Sequence, residues 1–192
     1  MKATVFVTLA CVAMGASASA QEVGFYNDGR PERIFRPVSG LSQMDIKFLK
    51  QAATIDKFEI EMAKIAQSNG GSPFVTEFAK EMIQDHQPAW NEAAQVAQNK
   101  GVDITGDLPK DLQSKLNHLR NLKGDEFDMQ YRAINKAGHE NAIKLYKKEV
   151  RNGRDEDVKG MAVKELPTVN MHYKMLLSGK TMMGSTASDH GQ

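Results

Sequence analysis

Charged and imidazole side chains occupy positions where the helical periodicity of this chain calls for apolar ones. Three predicted helices each carry an apolar stripe, read at alternating steps of four and three residues, that a glutamate or a histidine interrupts. The stripes are Phe48, Ala52, Ile55, Glu59, Met62 and Ala66; Phe78, Met82, His86 and Ala93; and Val158, Ala162, Glu165, Val169, His172 and Leu176. A bare carboxylate in a protein core costs on the order of several kcal/mol unless it is paired, protonated or bound to a metal. The pattern therefore predicts an internal polar site.

Capping and breaking residues divide the chain into four long helices. The first begins at Ser42 with a capping box and reaches about Ser68, and the second follows the cap Ser72 and ends near Lys100. The third runs from about 125 to 150 and the fourth from about 155 to 177. Prolines at 88 and 167 fall inside the second and fourth helices, where we expect kinks.

The third helix is predicted to begin at a cap formed by Asp125 or Asp128. Its apolar residues place the buried stripe to one side of His139, so we expect this histidine to be less central than the other two, near Asn135 and Tyr146. The predicted stripe is Phe127, Tyr131, Ile134, Gly138, Ala142 and Leu145.

The connections between the helices predict the fold class. The first two helices and the last two are joined by tight turns, which favour antiparallel hairpins, whereas residues 102–124 form a long crossover. A short helix over about 110–122 presents Leu112, Leu116 and Leu119 on one face, and we expect it to cover the end of the bundle. No segment shows strand-like alternation. The prediction is an all-α four-helix bundle of two antiparallel hairpins joined by a long crossover containing a short helix.

The two ends of the chain are predicted to lie outside the bundle. Residues 1–20 have the pattern of a secretory signal peptide: Lys2, an apolar run, and an Ala-x-Ala site that ends at Ala20. Lipidation of Cys11 is the less favoured alternative, because Thr8 stands where such signals carry leucine. Residues 21–40 are a predicted flexible linker, 41–178 the bundle, and 179–192 a predicted disordered tail.

Composition narrows the classes of function. The one cysteine is lost with the signal peptide, so thiol catalysis and thiolate metal sites are excluded from the exported chain. Without Lys2, its 24 basic and 24 acidic residues balance, and nucleic acid and anionic membrane surfaces are not expected partners. No later segment is apolar enough to be an integral membrane segment. An envelope protein and a second copy of the chain stay open as partners.

Short signatures in a fixed order resemble a known family. They are Glu59 with Met62-Ala63-Lys64-Ile65-Ala66; Phe78-Ala79 with Met82-Ile83-Gln84-Asp85-His86; Leu119 to Gly124 leading into Phe127-Asp128 and Tyr131; His139-Glu140; and Leu166-Pro167 with His172. The pattern, which covers about 41–177, resembles a domain-of-unknown-function family of small exported bacterial four-helix proteins grouped with the ferritin-like superfamily. Pro88 and Glu165 depart from it. The resemblance implies a ferritin-like fold and export to the periplasm or outer membrane, and it implies no reaction.

The candidate site consists of Glu59, His86, His139 and His172, a mixed ligand set suited to iron, copper or zinc. A ferritin-like di-iron centre would need Glu-x-x-His pairs, but Ile83 and Val169 stand three residues before the histidines of the second and fourth helices.

The alternative to a metal is a polar network in which these groups satisfy one another. Asp85, Glu140 and Glu165 are its further candidate members, with Asp85 or Glu140 expected to orient an imidazole. The sequence shows no nucleophile–base pair, phosphate loop or dinucleotide fingerprint, which argues against an enzyme. It favours a non-enzymatic binding or stress-associated module with a structural network. The alternative is a metal-binding protein that uses the Glu/His cluster.

Overall fold

The computed structural model describes residues 40–104 and 106–181, and this part of the chain is all-α. Its helices, in chain order, are α1 (Gln43–Asn69), α2 (Pro73–Asn99), α3 (Lys110–Arg120), α4 (Gly124–Asn152) and α5 (Glu156–Ser178). The predicted signal peptide, nearly all of the predicted linker and the predicted tail from residue 182 onward lie outside the described residues. Gly70 and Gly124 form an isolated bridge between two turns, and no strand occurs over 40–104 and 106–181.

The predicted caps of α1 and α2 are present as hydrogen bonds. Ser42 and Asp45 form a capping box, in which the Asp45 amide donates to Ser42 Oγ (3.2 Å) and the Ser42 amide donates to Asp45 Oδ2 (2.9 Å). Ser72 Oγ accepts from the Val75 amide (3.3 Å), directly before Pro73 begins α2. Local sequence was sufficient here because both partners of each cap lie within one helical turn.

The predicted cap of α4 was wrong. The helix begins at Gly124 behind Lys123, which makes no side-chain capping bond. Asp128 instead accepts hydrogen bonds from the amides of Gly71 (2.9 Å) and Ser72 (2.8 Å), in the turn between α1 and α2. An aspartate accepts from whichever unpaired amide lies near it, and folding brings the amides of a distant turn to this one.

Helices α2 and α5 continue through their internal prolines. Pro88 and Pro167 both lie on the exposed side of their helices. Water can therefore reach the carbonyl groups that lose an intrahelical donor at each proline, which makes the interruption tolerable without ending the helix.

The four long helices pack as two pairs. Helix α1 packs along α2, and α4 along α5; the pairs meet where α1 contacts α4 and α2 contacts α5. Helix α3 contacts α1 and α4, and buries Leu116 and Leu119 among the core residues at that end. The predicted role of the crossover leucines in covering the bundle is consistent with this packing.

Two apolar clusters fill the interior, one toward each end. On α1, buried Phe48, Leu49, Ala52 and Ala53 belong to one cluster, and Phe58, Met62, Ala63 and Ala66 to the other. The division falls near Ala89 on α2, between Tyr131 and Ala142 on α4, and between Val169 and Met175 on α5. Buried polar residues lie at the level where the two clusters meet, so the interior has a polar layer between two apolar ones.

The buried face of α4 differs from the predicted stripe. Ile134, Gly138 and Leu145 are only partly buried, whereas His139, which we expected at the side, has no exposed surface. The polar residues of the buried face are Asp128, Asn135, His139 and Glu149. An apolar periodicity search selects the wrong face of a helix whose central turns meet a polar layer, because the buried residues there are not apolar. For the same reason Asp56 is buried on α1, where the stripe had placed Ile55.

Candidate metal centre

Four helices each direct polar side chains into the central layer. Helix α1 contributes Asp56 and Glu59, α2 contributes His86, α4 His139 and α5 His172. Exposed fractions are 2% and 3% for the two acids, and 5%, 0% and 0% for the three histidines. The imidazole rings surround one another, with centroid separations of 6.1 Å (His86–His139), 5.3 Å (His86–His172) and 5.5 Å (His139–His172).

Each imidazole is anchored through one of its two nitrogens. His86 Nδ1 lies 2.8 Å from Asp56 Oδ1, and His172 Nε2 lies 2.9 Å from Asp85 Oδ2. His139 Nδ1 lies 2.9 Å from the backbone carbonyl oxygen of Asn135, one turn earlier on α4. The Asn135 carbonyl can only accept, so His139 carries its proton on Nδ1. Beside ionised carboxylates, as a bound cation would favour, His86 and His172 likewise carry the proton on the anchored nitrogen.

The other nitrogen of each ring is buried and has no hydrogen-bond partner. These atoms are His86 Nε2, His139 Nε2 and His172 Nδ1. With the proton on the anchored side, all three expose a lone pair to the interior. Buried polar atoms are normally hydrogen-bonded, so three unpaired acceptors on three adjacent rings require an explanation. An imidazole held by a carboxylate or carbonyl on one side, with its free lone pair on the other, is the arrangement of a metal-ligating histidine.

Glu59 approaches two of these rings. Its Oε2 lies 3.1 Å from His86 Nε2, and its Oε1 lies 3.4 Å from His139 Nδ1. In the tautomer that Asp56 favours, neither His86 Nε2 nor the ionised Glu59 carboxylate has a proton to donate. Two lone-pair atoms this close repel each other unless a cation or a proton lies between them. Glu59 Oε2 accordingly has no hydrogen bond, although it is fully buried.

Burial determines the charge states that this layer favours. It lowers the pKa of His139 to about 3, with help from the neighbouring His86 and His172, so this imidazole is neutral. Burial also raises the pKa of Asp56 well above its ordinary value, and that of Glu59, where the charge of His86 works in the opposite direction. These shifts show that the layer contains too little positive charge to stabilise two ionised carboxylates. The neutral His139 does not supply it.

No lysine or arginine among the described residues forms an ion pair with Asp56 or Glu59. A divalent cation would supply the missing charge. Two overlapping groups have the geometry to hold one: His86, His139 and His172, and Asp56, Glu59 and His86. In each group, one ligand atom per residue lies within 4.8 Å of the others. Imidazole nitrogen with carboxylate oxygen suits zinc, iron or copper better than calcium or magnesium.

An aromatic layer borders the histidines toward the turn between α1 and α2. The Phe78 ring packs against His139 and His172, with centroids 6.5 Å and 6.0 Å away, and Tyr131 packs edge-on against Phe78 at 6.3 Å. Both rings are fully buried, and the Tyr131 hydroxyl is a further interior polar atom without a hydrogen-bond partner. They exclude water, so the charges and lone pairs of the layer are weakly screened.

The structure brings Glu59, His86, His139 and His172 together. The three further acids of the predicted network have different surroundings. Asp85 contacts His172, as expected for an orienting carboxylate. Glu140 does not contact an imidazole, because its Oε1 accepts from the Tyr173 hydroxyl (2.5 Å). Glu165 is half-buried near Lys164, with Oε1 3.8 Å from its Nζ.

Sequence reasoning missed Asp56 and Asn135. Asp56 precedes Glu59 by three residues, so both acids lie on one face of α1, and this spacing was a signal that could have indicated a pair. Asn135 acts through its backbone carbonyl oxygen, which every residue has; nothing in the sequence marks that role.

The fold and the site define a class of protein: an all-α helical bundle with histidines and carboxylates clustered in its interior. The chain belongs to the family described as a domain of unknown function, DUF4142, whose model matches residues 35–178. No curated protein matches the sequence.

Solved structures of DUF305 proteins share the fold. A DUF305 fragment from Deinococcus radiodurans is 9% identical, with a TM-score of 0.64, and the match covers 72% of this chain and 96% of that one. A DUF305 protein from Streptomyces coelicolor, named as a secreted protein, is 13% identical with a TM-score of 0.61, covering 78% and 96%. At these identities the likeness concerns the fold alone. Among the described residues, no helix combines the length and apolar character needed to cross a membrane.

Proposed function

We propose that this protein is an exported, non-enzymatic binding module that holds one transition-metal ion between Glu59, His86, His139 and His172. The observation that carries the proposal is the set of three buried imidazole nitrogens without hydrogen-bond partners, beside an equally unpaired Glu59 oxygen. Iron, copper and zinc all accept three imidazoles and a carboxylate. His86 belongs to both groups of residues that could hold an ion, so an ion bound by the three imidazoles would lie beside Glu59.

The residues around the ligands have defined tasks in this proposal. Asp56, Asp85 and the Asn135 carbonyl each hold one imidazole by its outer nitrogen, at 2.8–2.9 Å, and so keep the inner lone pair directed at the ion. Asp56 and Glu59 together bring two negative charges, which balance a divalent cation. Glu165, half-buried and carrying a raised pKa because of its burial, belongs to the surroundings of the site.

Burial supports binding over catalysis. The four proposed ligands are at most 5% exposed, so a substrate cannot reach the ion without an opening of the bundle. A closed site with no open position is typical of structural or storage ions, whereas catalytic sites keep a position for water or substrate. Sequestration or stress-related storage of an ion in the cell envelope is the role that fits this closure.

The cellular location and the finer fold are parts of the same proposal. The signal-peptide pattern of residues 1–20 and the secreted description of the DUF305 protein from Streptomyces coelicolor support export. The periplasm and the outer membrane are the two destinations. The packing of α1 with α2 and of α4 with α5, with the long crossover between them, supports the ferritin-like connectivity.

A second candidate is a structural network without an ion. In it His86 is a charged imidazolium that donates to Asp56 from Nδ1 and faces Glu59 with Nε2, at 2.8 Å and 3.1 Å. This accounts for the two carboxylates. It leaves His139 Nε2 and His172 Nδ1 unpaired in the interior, and the metal-binding proposal is stronger because it accounts for them as well.

The test is elemental analysis of the protein purified from the periplasm without chelator or affinity tag, followed by titration of the stripped protein with zinc and cobalt. We expect close to one ion per chain. His139→Ala should lose it, whereas His118→Ala, which removes an exposed histidine from α3, should retain it. A protein that arrives metal-free and takes up neither ion would establish the network instead.

A further inference from the structure

The three anchors of the histidines differ in their access to solvent. Asp56, which anchors His86, is 2% exposed, and Asn135, which anchors His139, is fully buried. Asp85 anchors His172 with a side chain that is 30% exposed, although the His172 side chain is itself completely buried. The buried His172 ring is therefore linked to a solvent-exposed carboxylate by a single hydrogen bond of 2.9 Å.

Asp85 lies on the seam between α2 and α5, which polar side chains cross along its length. Lys100 Nζ bonds Asp155 Oδ2 at 2.7 Å, Lys164 pairs with Glu92, and Asp85 bonds His172. A groove of about 390 Å³ follows the seam between the first two of these crossings, lined by residues of α2 and α5 that include Glu92, Val96, Gly160 and Met161. The Lys164–Glu92 pair is exposed, so water can replace this contact at little cost.

The apolar seams are poorer routes to the site. An ion that passed between α1 and α2 would have to separate side chains of the two apolar clusters and shed its water among them. At the Asp85 position it meets a carboxylate at the surface, exchanges one water for a carboxylate oxygen, and is then one side chain away from the imidazole triad.

We propose that Asp85 is the entry residue of the site. It captures a hydrated divalent cation at the α2–α5 seam and passes it to His172, whose ring rotates toward the surface to bind the cation. The proposal rests on the metal-binding function given above. Asp85 is a positioning residue for the bound state and a transient ligand during uptake. The step exchanges water for oxygen and nitrogen donors and involves no redox change.

Stopped-flow uptake of Co²⁺ by the stripped protein, followed through the visible absorption of the bound ion, tests this. The variant is Asp85→Asn, whose amide oxygen still accepts from His172 Nε2 but carries no charge. The control is Glu77→Gln, which removes the same charge from α2 at a side chain of matching exposure, 33%. Both proteins should bind one ion per chain at saturating Co²⁺.

We expect Asp85→Asn to slow uptake about threefold to tenfold at low ionic strength, with the difference shrinking as salt is added. Glu77→Gln should match the wild type. An unchanged uptake rate in Asp85→Asn would overturn the proposal even if release became faster, because that combination describes a residue that supports the bound state but not the route. A wild-type protein that takes up no cobalt or zinc would show first that the binding function itself is wrong.

Discussion

The buried polar residues at the α1–α2 turn and those at the middle of the bundle have opposite hydrogen-bonding patterns. At the turn, Asn69 Nδ2 donates to the carbonyl oxygens of Leu119, Arg120 and Leu122 at 2.9–3.3 Å, and Asp128 accepts from two amides. In the middle, His139 and His172 each have one nitrogen bonded and one unpaired.

This difference in hydrogen bonding distinguishes polar groups that stabilise the fold from polar groups whose burial the rest of the fold must offset. Asn69 and Asp128 form hydrogen bonds with backbone groups at helix ends that would otherwise be unpaired, and thereby stabilise the turns. The inner imidazole nitrogens have lost their hydrogen bonds to water, and no group in the described structure replaces them. Their burial costs free energy, and local departures of this kind are expected at functional sites.

The largest expected effect is on ion binding. His139→Ala should weaken Co²⁺ or Zn²⁺ binding by at least about 100-fold, because it removes one of four ligands. The variant also loses the Nδ1 hydrogen bond to the Asn135 carbonyl and leaves a cavity, so it should destabilise the stripped protein too, but the loss of stability should be larger when the ion is present. Titration calorimetry and chelator-treated thermal melts measure the two quantities separately. Equal losses of stability with and without the ion would put His139 in the same class as Asp128.

Asp128→Ala should show the reverse pattern. It leaves the amides of Gly71 and Ser72 without their acceptor, and we expect a loss of about 2–3 kcal/mol in the free energy of unfolding. Ion stoichiometry should stay at one per chain, because the residue lies at the end of the bundle. Urea unfolding with parallel metal analysis checks both. Loss of the ion in a variant that remains folded would show that the two regions are coupled.

Gly71→Ala probes the same end through packing. A Cβ at this position would come within 2.8 Å of the Gly124 Cα and 3.0 Å of its carbonyl carbon, both backbone atoms. One turn must move away from the other, which we expect to cost about 1–3 kcal/mol. Gly160→Ala is the matched control, since its Cβ meets no atom within 4 Å. The melting temperatures of the two variants should differ clearly, and similar values would contradict the close approach of the turns.

The smallest expected effect concerns another buried acid, Glu149, at the opposite end of the bundle from the Asp128 turn. Burial raises its pKa to about 7, and the neighbouring Asp45 adds to the shift. Burial alone would raise the pKa of Asp45 too, but hydrogen bonds from the backbone of Arg154 and from Ser42 lower it to about 2. Below pH 7 Glu149 therefore holds a proton while Asp45 is ionised.

A folded-state pKa above the ordinary 4.5 means that the folded protein binds the proton more tightly than the unfolded chain does. The contribution of Glu149 to stability therefore increases as the pH falls from 8 toward 5 and is lost as the pH rises through 7. Solvent screening near the end of the bundle keeps it to about 1–2 kcal/mol. Because His139 titrates in the opposite sense, the measurement is the difference in melting temperature between wild type and Glu149→Gln across this range, both stripped of metal. A difference that does not vary with pH would contradict the raised pKa of Glu149.

The positions of the helices and the caps of α1 and α2 were predictable because their causes are local, whereas the α4 cap was not. Ser42 with Asp45 and Ser72 before Pro73 bond within one turn, and the α1 and α2 boundaries followed from them. The family resemblance was confirmed by the match over residues 35–178. The buried face of α4 was not predictable in this way, because burial there follows from what the neighbouring helices present and not from apolar character.

The sequence by itself determined that residues 40–104 and 106–181 are all-α, where four of the five helices described there begin, and that polar groups interrupt the apolar stripes of α1, α2 and α5. Only the tertiary structure decided that His139 joins the other histidines, that Asp56 anchors one of them, and that Asp85 is the anchor, of the three, whose side chain reaches solvent. The reason is physical. Helical periodicity and capping act over one or two turns, whereas the partner of a buried nitrogen is chosen by how separate helices pack.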